Sequence, residues 1–486
     1  MTNTMLTNLM WIMADDLGVG EPGYMYANSS HGRMTTPNID RLAREGMQFT
    51  AAYAGYTVCA PSRATLFTGR NSGHLAGAPG DWPKLPELLR NGGYETVLFG
   101  KSAPMDGPQV QPSVLKWGLP ELYGFDTFVG QPNQALCHNM YPESITVDNA
   151  SVPLPLNRAS KKSRDLCMAH PERYNYTTDV FADAAIQWLR VGRPRARPFF
   201  LYLSFTVPHA GGWGTAPSYP ESGNPVPTDM AYAAHADWPI VERDHAASVS
   251  YLDRRVGDVL DALSDAGLAS STAVFFASDN GAHNEGGHDV RFFDSTGGLR
   301  GFKRSYYEGG VRSPSLVRWP GVTPAGSVSH TPWAFWDVLP TMLDIAGVAM
   351  PRGMEVDGRS IVPALRGEPL PPPAYMYWTW RGKVAADDAP PNDGTEPIGG
   401  DGRPGAKGAP PPGYGVRVGE MKGVVHACAD QSGASAAPSI GDVMELYNLT
   451  ADPFETVDVA AVHGDLVHTI KALLMRQRLS CSCWQC

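Results

Sequence analysis

The chain has 486 residues, 43% of them hydrophobic and 18% charged, with a formal net charge of −10. It is too long for one small core and has the balance of an ordinary globular protein. No basic run marks a nucleic-acid groove or an anionic membrane as partner, and seven cysteines, an odd number in so long a chain, do not describe a disulfide scaffold.

Met1 to Met13 carries no positive charge before its apolar stretch and no small-residue cleavage site, so no signal peptide is expected. No segment reaches the roughly 18 consecutive apolar residues of a membrane span. The chain therefore reads as cytoplasmic, or as the mature or truncated form of an exported protein. Asn-x-Ser/Thr triplets at Asn28, Asn149, Asn175 and Asn448 carry meaning only in the exported case.

Five short apolar runs predict buried parallel strands: Asn8–Met13, Glu95–Phe99, Phe199–Phe205, Thr272–Ala277 and Ser315–Trp319. Helical spacing lies between and after them, over Asp179–Val191, over Arg243–Ala266 ending at Gly267, and over Phe335–Ala346 ending at Gly347. The alternation predicts an α/β fold with a large mixed, mostly parallel sheet sandwiched by helices, over about residues 1–370. Composition shifts near Pro371–Pro373, and Ala385–Gly415 is rich in Pro, Gly, Ala and Asp, as a flexible insertion would be. Gly415–Val425 and Met444–Leu449 as strands and Leu466–Arg478 as a closing helix then predict a smaller C-terminal α+β domain over 371–486, built on a four-stranded type of antiparallel sheet. Cys481, Cys483 and Cys486 fall in the tail, where a frayed terminus is the simplest expectation.

Ligands in open parallel sheets bind beyond the carboxyl ends of the strands. Asp15 and Asp16 follow the first run, Lys101 the second, His209 the third, and Asp279 with Asn280 the fourth. Each alone could be a turn residue or a cap. Together they deliver three carboxylates and an amide to one edge, a donor set that suits a hard divalent cation; adjacent Asp15 and Asp16 would repel without one.

Pro61 in Cys59-Ala60-Pro61-Ser62-Arg63 suits the first turn of a helix. Cys59 then sits at the helix N-terminus, where free amides and the dipole favour anions and lower a thiol pKa, with Arg63 one turn on. From these residues alone, Cys59 is either a nucleophile or a capping residue.

Cys59-x-Pro61-x-Arg63 continuing to Thr68-Gly69-Arg70 resembles the first signature of the type I, formylglycine-dependent sulfatases of the alkaline phosphatase superfamily. Gly93-Tyr94-Glu95-Thr96 with Gly100-Lys101 resembles the second. Met13-Ala14-Asp15-Asp16-Leu17-Gly18, Thr36-Pro37-Asn38-Ile39-Asp40, Pro208-His209, Ser278-Asp279-Asn280-Gly281, Arg300-Gly301-Phe302-Lys303, Tyr307-Glu308-Gly309-Gly310 and Glu445-Leu446-Tyr447-Asn448-Leu449 follow in the family's order, from about residue 8 to 475. The resemblance implies sulfate monoester hydrolysis on a sulfated carbohydrate or aryl sulfate. It implies a Ca²⁺ held by Asp15, Asp16, Asp279, Asn280 and the modified Cys59. It also implies a formylglycine-generating enzyme as maturation partner. Arg63 and Lys101 would hold the formylglycine hydrate and sulfate, and His209 and Lys303 the sulfate and its bridging oxygen.

This sequence departs from the family where Lys101 is followed by Ser102-Ala103-Pro104, so a histidine found there in many relatives is missing. His138, His283 and His288 are candidates for the same pocket as substrate contacts, each equally a structural histidine. Trp117, Trp213 and Trp238 could stack on sugar rings, though packing is the commoner fate of tryptophan. Two other readings stay open: a phosphonate or phosphate ester hydrolase of the same superfamily, and a non-catalytic binder of sulfated glycans that keeps Cys59 unmodified.

Overall fold

The computed structural model describes residues 6–25, 33–75, 82–102, 123–132, 134–158, 162–193, 196–212, 223–380, 413–426 and 444–479. Asn28, Trp117, Trp213, Ala103, Pro104, the C-terminal cysteines and most of the Ala385–Gly415 stretch lie outside them.

Asn8–Asp15 is buried at every position, as are Phe199–Pro208 and Thr272–Ser278. Continuous apolar runs of this kind need cover on both faces. Side chains alternate across the sheet: Met10, Ile12 and Ala14 join one core, Leu9, Trp11 and Met13 the other. The first core includes the buried sides of helices Thr177–Gln187 and Ile240–Asp265. The second includes those of Cys59–Thr68, Leu85–Asn91 and Val338–Ala346. The result is helix, sheet, helix.

The sheet has ten strands. From one edge they run Ser327–Ser329, Met47–Phe49, Ser315–Arg318, Thr272–Ser278, Asn8–Asp15, Phe199–Pro208, Glu95–Lys101, Thr127–Gln131, Ser144–Val147 and Ala150–Pro153. Asn8–Asp15 pairs parallel with both neighbours, and Glu95–Lys101 pairs parallel with Phe199–Pro208. One expectation is corrected. Ser315–Arg318 is not parallel; it pairs antiparallel with both Thr272–Ser278 and Met47–Phe49. A run buried on both faces carries no mark of its direction. The strand also stops before the half-buried Trp319.

A second, four-stranded sheet is wholly antiparallel, ordered Met376–Trp380, Gly413–Val418, Met421–His426, Met444–Asn448. The predicted single strand Gly415–Val425 is therefore a hairpin. Its turn uses Gly419 at a φ of 58°, which glycine adopts without strain. Met376–Trp380 was not among the predicted strands; it lies just past the prolines that marked the composition shift. Helix Gly464–Leu479 closes this sheet through Ile470 and Leu474. Among the described residues no helix is long and apolar enough to cross a membrane.

The four-stranded sheet is tied to the short helix Glu308–Val311 through buried charge. Lys422 Nζ donates to Glu308 Oε1 at 2.7 Å and lies 3.2 Å from Glu455 Oε1, all three fully or almost fully buried. Glu308 also pairs with Arg312 and accepts from Tyr53 Oη at 2.8 Å, and Arg417 donates to the same Tyr53 Oη at 2.5 Å. Removing one partner of a buried pair strands the other charge in low dielectric. Lys422→Met, which keeps the volume, is expected to cost about 3–5 kcal/mol, read as a lower denaturation midpoint.

Candidate functional site

The sheet gathers its polar groups where its strands end. Asp15 closes its strand, and Asp16 takes a left-handed φ of 68°, a conformation costly for a non-glycine residue and usually held by its surroundings. Here the Asp16 N–H donates to Asp279 Oδ1 at 3.1 Å. The His209 N–H donates to the Asp15 carbonyl at 3.1 Å, and the Asp279 N–H to the Ala14 carbonyl at 3.2 Å. Lys101 ends its own strand one place further along the sheet.

Cys59 opens the helix Cys59–Thr68, which ends at Gly69 with a φ of 68° and the Gly69 N–H donating to the Thr65 carbonyl. Arg63, one turn in, is wholly buried. Its Nε and one Nη donate to Asp279 Oδ2 at 2.9 and 2.6 Å, that Nη lies 3.4 Å from Asp15 Oδ2, and the other Nη donates to Ser204 Oγ. Lys101 Nζ donates to the same Asp15 Oδ2 at 2.7 Å. On the other side, Lys303 Nζ donates to Asp16 Oδ2 at 2.8 Å and to His209 Nε2 at 2.9 Å. Asn280 Nδ2 donates to Asp16 Oδ1 at 2.7 Å.

Burial sets the ionisation of these groups and their neighbours modify it. Burial pushes the Asp15 carboxyl up, but Lys101 and then Arg63 outweigh it and hold it well below the usual carboxylate range. Asp16, with burial opposed chiefly by Lys303, is pushed up to about 6. Asp279 also rises to about 6, through burial and the Asp15 charge. His209 falls to about 4 because it is buried beside the Lys303 ammonium. Burial raises the Cys59 thiol despite Lys101. The expected lowering at a helix N-terminus is thus overridden by burial.

The arrangement fits a divalent cation. Ligand atoms of Asp15, Cys59 and Asp279 all lie within 4.8 Å of one another. Asp15 Oδ1 and Asn280 Oδ1 are buried with no hydrogen-bond partner, and buried oxygens of that kind call for a cation or a water. Carboxylate and amide oxygens are donors for a hard ion.

The structure brings Asp15, Asp16, Cys59, Arg63, Lys101, His209, Asp279, Asn280 and Lys303 together. His138 stacks on His209 with ring centroids 4.2 Å apart. His283 lies 6.1 Å from His209, with Nε2 donating to the Pro208 carbonyl at 2.9 Å and Nδ1 accepting from the Glu285 N–H at 3.1 Å. His288 belongs to a separate buried group: its Nδ1 meets Glu242 Oε2 at 2.7 Å, its ring stacks on His245 at 3.7 Å, and His245 Nε2 meets Glu21 Oε1 at 2.5 Å. Trp238 stacks on His235 and packs against the main core. Sequence reading missed Ser204, Glu285 and Arg304. Ser204 hides inside an apolar run, whereas Arg304 follows Lys303 directly and Glu285 lies between two singled-out histidines.

The sulfatase family profile matches residues 7–348. The chain is 30% identical over 395 residues to N-acetylgalactosamine-6-sulfatase of Canis lupus familiaris, across 76% of this chain and 68% of that protein. It is 33% identical over 433 residues to steryl-sulfatase of Mus musculus, across 74% of this chain and 65% of that protein. It therefore spans about two thirds of the length of these curated relatives. Its fold matches the crystal structure of Ps i-CgsB in complex with k-i-k-neocarrahexaose with a TM-score of 0.70 at 22% identity, covering 98% of this chain and 93% of that one. The family match and the curated relatives define the chain as an ester hydrolase. The chain belongs to the sulfatase family and is an enzyme that hydrolyses sulfate esters.

A cation that binds only the folded chain stabilises it by mass action. Divalent cation at about a hundred times its Kd is expected to add about 2.7 kcal/mol after chelator treatment, and Asp15→Asn to abolish that gain, both followed by thermal melting.

Proposed function

We propose that Cys59, converted to formylglycine by a formylglycine-generating enzyme, is the nucleophilic position of a hydrolase acting on sulfate monoesters of carbohydrates or aryl alcohols. Asp15, Asp16, Asp279, Asn280 and the modified residue 59 would hold one Ca²⁺. The observation that carries the reading is the convergence of Cys59, Asp15 and Asp279 within 4.8 Å, with Arg63 and Lys101 on the same carboxylates. The cation supplies positive charge that favours an ionised hydroxyl and offsets charge on the sulfate oxygens.

The chain's own residues do the rest. Arg63 and Lys101 hold the Asp15 carboxylate ionised, and Arg63 orients the Asp279 carboxylate beside it. They also present positive charge to the nucleophile and the sulfate. Lys303 and His209, side by side at 2.9 Å, would supply a proton to the bridging oxygen as its bond to sulfur breaks, so that the alcohol leaves neutral. A hydrated aldehyde at position 59 offers a second hydroxyl, whose loss of a proton lets sulfate depart and the aldehyde return. A thiol or a serine offers none.

Charge supports sulfate over phosphate. Four carboxylates, Asp15, Asp16, Asp279 and Glu285, face four cations, Arg63, Lys101, Lys303 and Arg304. With a divalent ion added, the site matches a monoanionic ester plus one ionised hydroxyl; a phosphate monoester brings a further negative charge. A sulfated amino sugar is one candidate substrate, from the name of the canine relative.

Three measurements test the reading. With the maturation enzyme co-expressed, the mass of the peptide spanning Thr57–Arg63 is expected to show an aldehyde in place of the thiol; an intact thiol with glycan affinity and no turnover indicates a binder. Nitrophenyl sulfate is expected to turn over faster than nitrophenyl phosphate, and a strong phosphate preference rejects the substrate assignment. His209→Ala is expected to lower kcat/KM about 10²–10⁴-fold.

A further inference from the structure

Glu285 is buried in the site, yet no step above uses it. It extends from the loop after Thr272–Ser278, with its side chain 9% exposed. Its Oε2 accepts from Lys303 Nζ at 2.9 Å and lies 3.3 Å from His209 Nε2. Its Oε1 pairs with Arg304. One carboxylate therefore touches both members of the Lys303–His209 pair and a second cation behind it.

The donor pattern shows what this contact fixes. The Ala210 carbonyl can only accept, so His209 Nδ1, 2.5 Å away, carries a hydrogen. Nε2 of the neutral ring then accepts from Lys303. The three N–H groups of Lys303 meet three acceptors, Asp16 Oδ2, Glu285 Oε2 and His209 Nε2. Arg304 is braced in turn: it takes a left-handed φ of 75°, and its N–H donates to the Thr57 carbonyl at 2.8 Å, two residues before Cys59. Without the Glu285 charge, the Lys303 ammonium and the Arg304 guanidinium would lose the carboxylate they share. The ammonium would then be held by Asp16 on the cation side, away from its histidine.

We propose that Glu285 is a positioning residue that holds Lys303 and His209 together on the leaving-group side and sets their distance from the nucleophile loop through Arg304. This rests on the reading of Lys303 and His209 as the proton source for the departing alcohol. In that step the S–O bond breaks, its electron pair goes to the bridging oxygen, and the proton comes from the Lys303–His209 pair. Glu285 exchanges no proton and acts only through Lys303, His209 and Arg304.

The test uses the mature enzyme and a series of aryl sulfates of rising leaving-group pKa. Poor leaving groups need the proton most, so a defect in its delivery steepens the dependence of kcat/KM on that pKa. A purely structural defect lowers every rate alike. Glu285→Gln, which keeps the shape and removes the charge, is expected to lose within about tenfold on nitrophenyl sulfate and about 10²-fold on the poorest leaving group. Glu285→Asp, which restores the charge, is expected to recover part of the slope. A uniform loss across the series, or a Glu285→Gln slope equal to that of the unaltered enzyme, overturns the proposal. His209→Ala separates the two levels. If it leaves the slope unchanged, the proton-source reading fails and takes the proposal with it. If it steepens the slope while Glu285→Gln does not, the proposal alone fails.

Discussion

The structure depends on a requirement of low dielectric: buried charges must meet opposite charges at close range or the fold cannot hold them. Asp15, Asp279, Arg63 and Lys101 are all fully buried. They come from three strand ends and a helix that are remote in sequence, so the site assembles only when the sheet does. Asp15 Oδ2 takes Lys101 directly and Arg63 more distantly, while its Oδ1 is left without a hydrogen-bond partner. That one carboxylate thus serves the fold through one oxygen, while the other is the one proposed to meet a cation.

The parallel centre of the sheet explains why these groups share an edge. Asn8–Asp15, Phe199–Pro208, Thr272–Ser278 and Glu95–Lys101 all point the same way. Whatever follows each strand therefore arrives on the same side. The cost is borne locally at Asp16 and Arg304, two non-glycine residues with left-handed backbone, both in contact with the charge cluster.

Much of this was legible in the sequence, for reasons that also mark the limits. Asp15, Lys101, His209 and Asp279 could be found because strand ends are visible as the close of apolar runs. Cys59 and Arg63 could be found because helical spacing sets them one turn apart. The direction of Ser315–Arg318 was not legible, since a strand buried on both faces looks the same either way. The Gly415–Val425 hairpin was hidden because its turn is only two residues long, Gly419 and Glu420, and the strand pattern resumes at once. Glu285 was not legible because its role comes from a loop meeting two side chains, His209 and Lys303, that lie far from it in sequence or on another turn. The rise of the Cys59 pKa needed burial itself, which a helix-terminus argument does not contain.

The ion pair between Lys422 and Glu308 bears on how the protein is made. Glu308 stands five residues after Lys303 and four after Arg304, on the stretch that completes the pocket. During synthesis that stretch emerges from the ribosome more than a hundred residues ahead of the lysine that neutralises it. A growing polypeptide thus carries every proposed catalytic side chain, with Arg312 already beside Glu308, before Lys422 joins them. The later sheet thus completes, through Lys422, a charge balance around Glu308 that Arg312 begins.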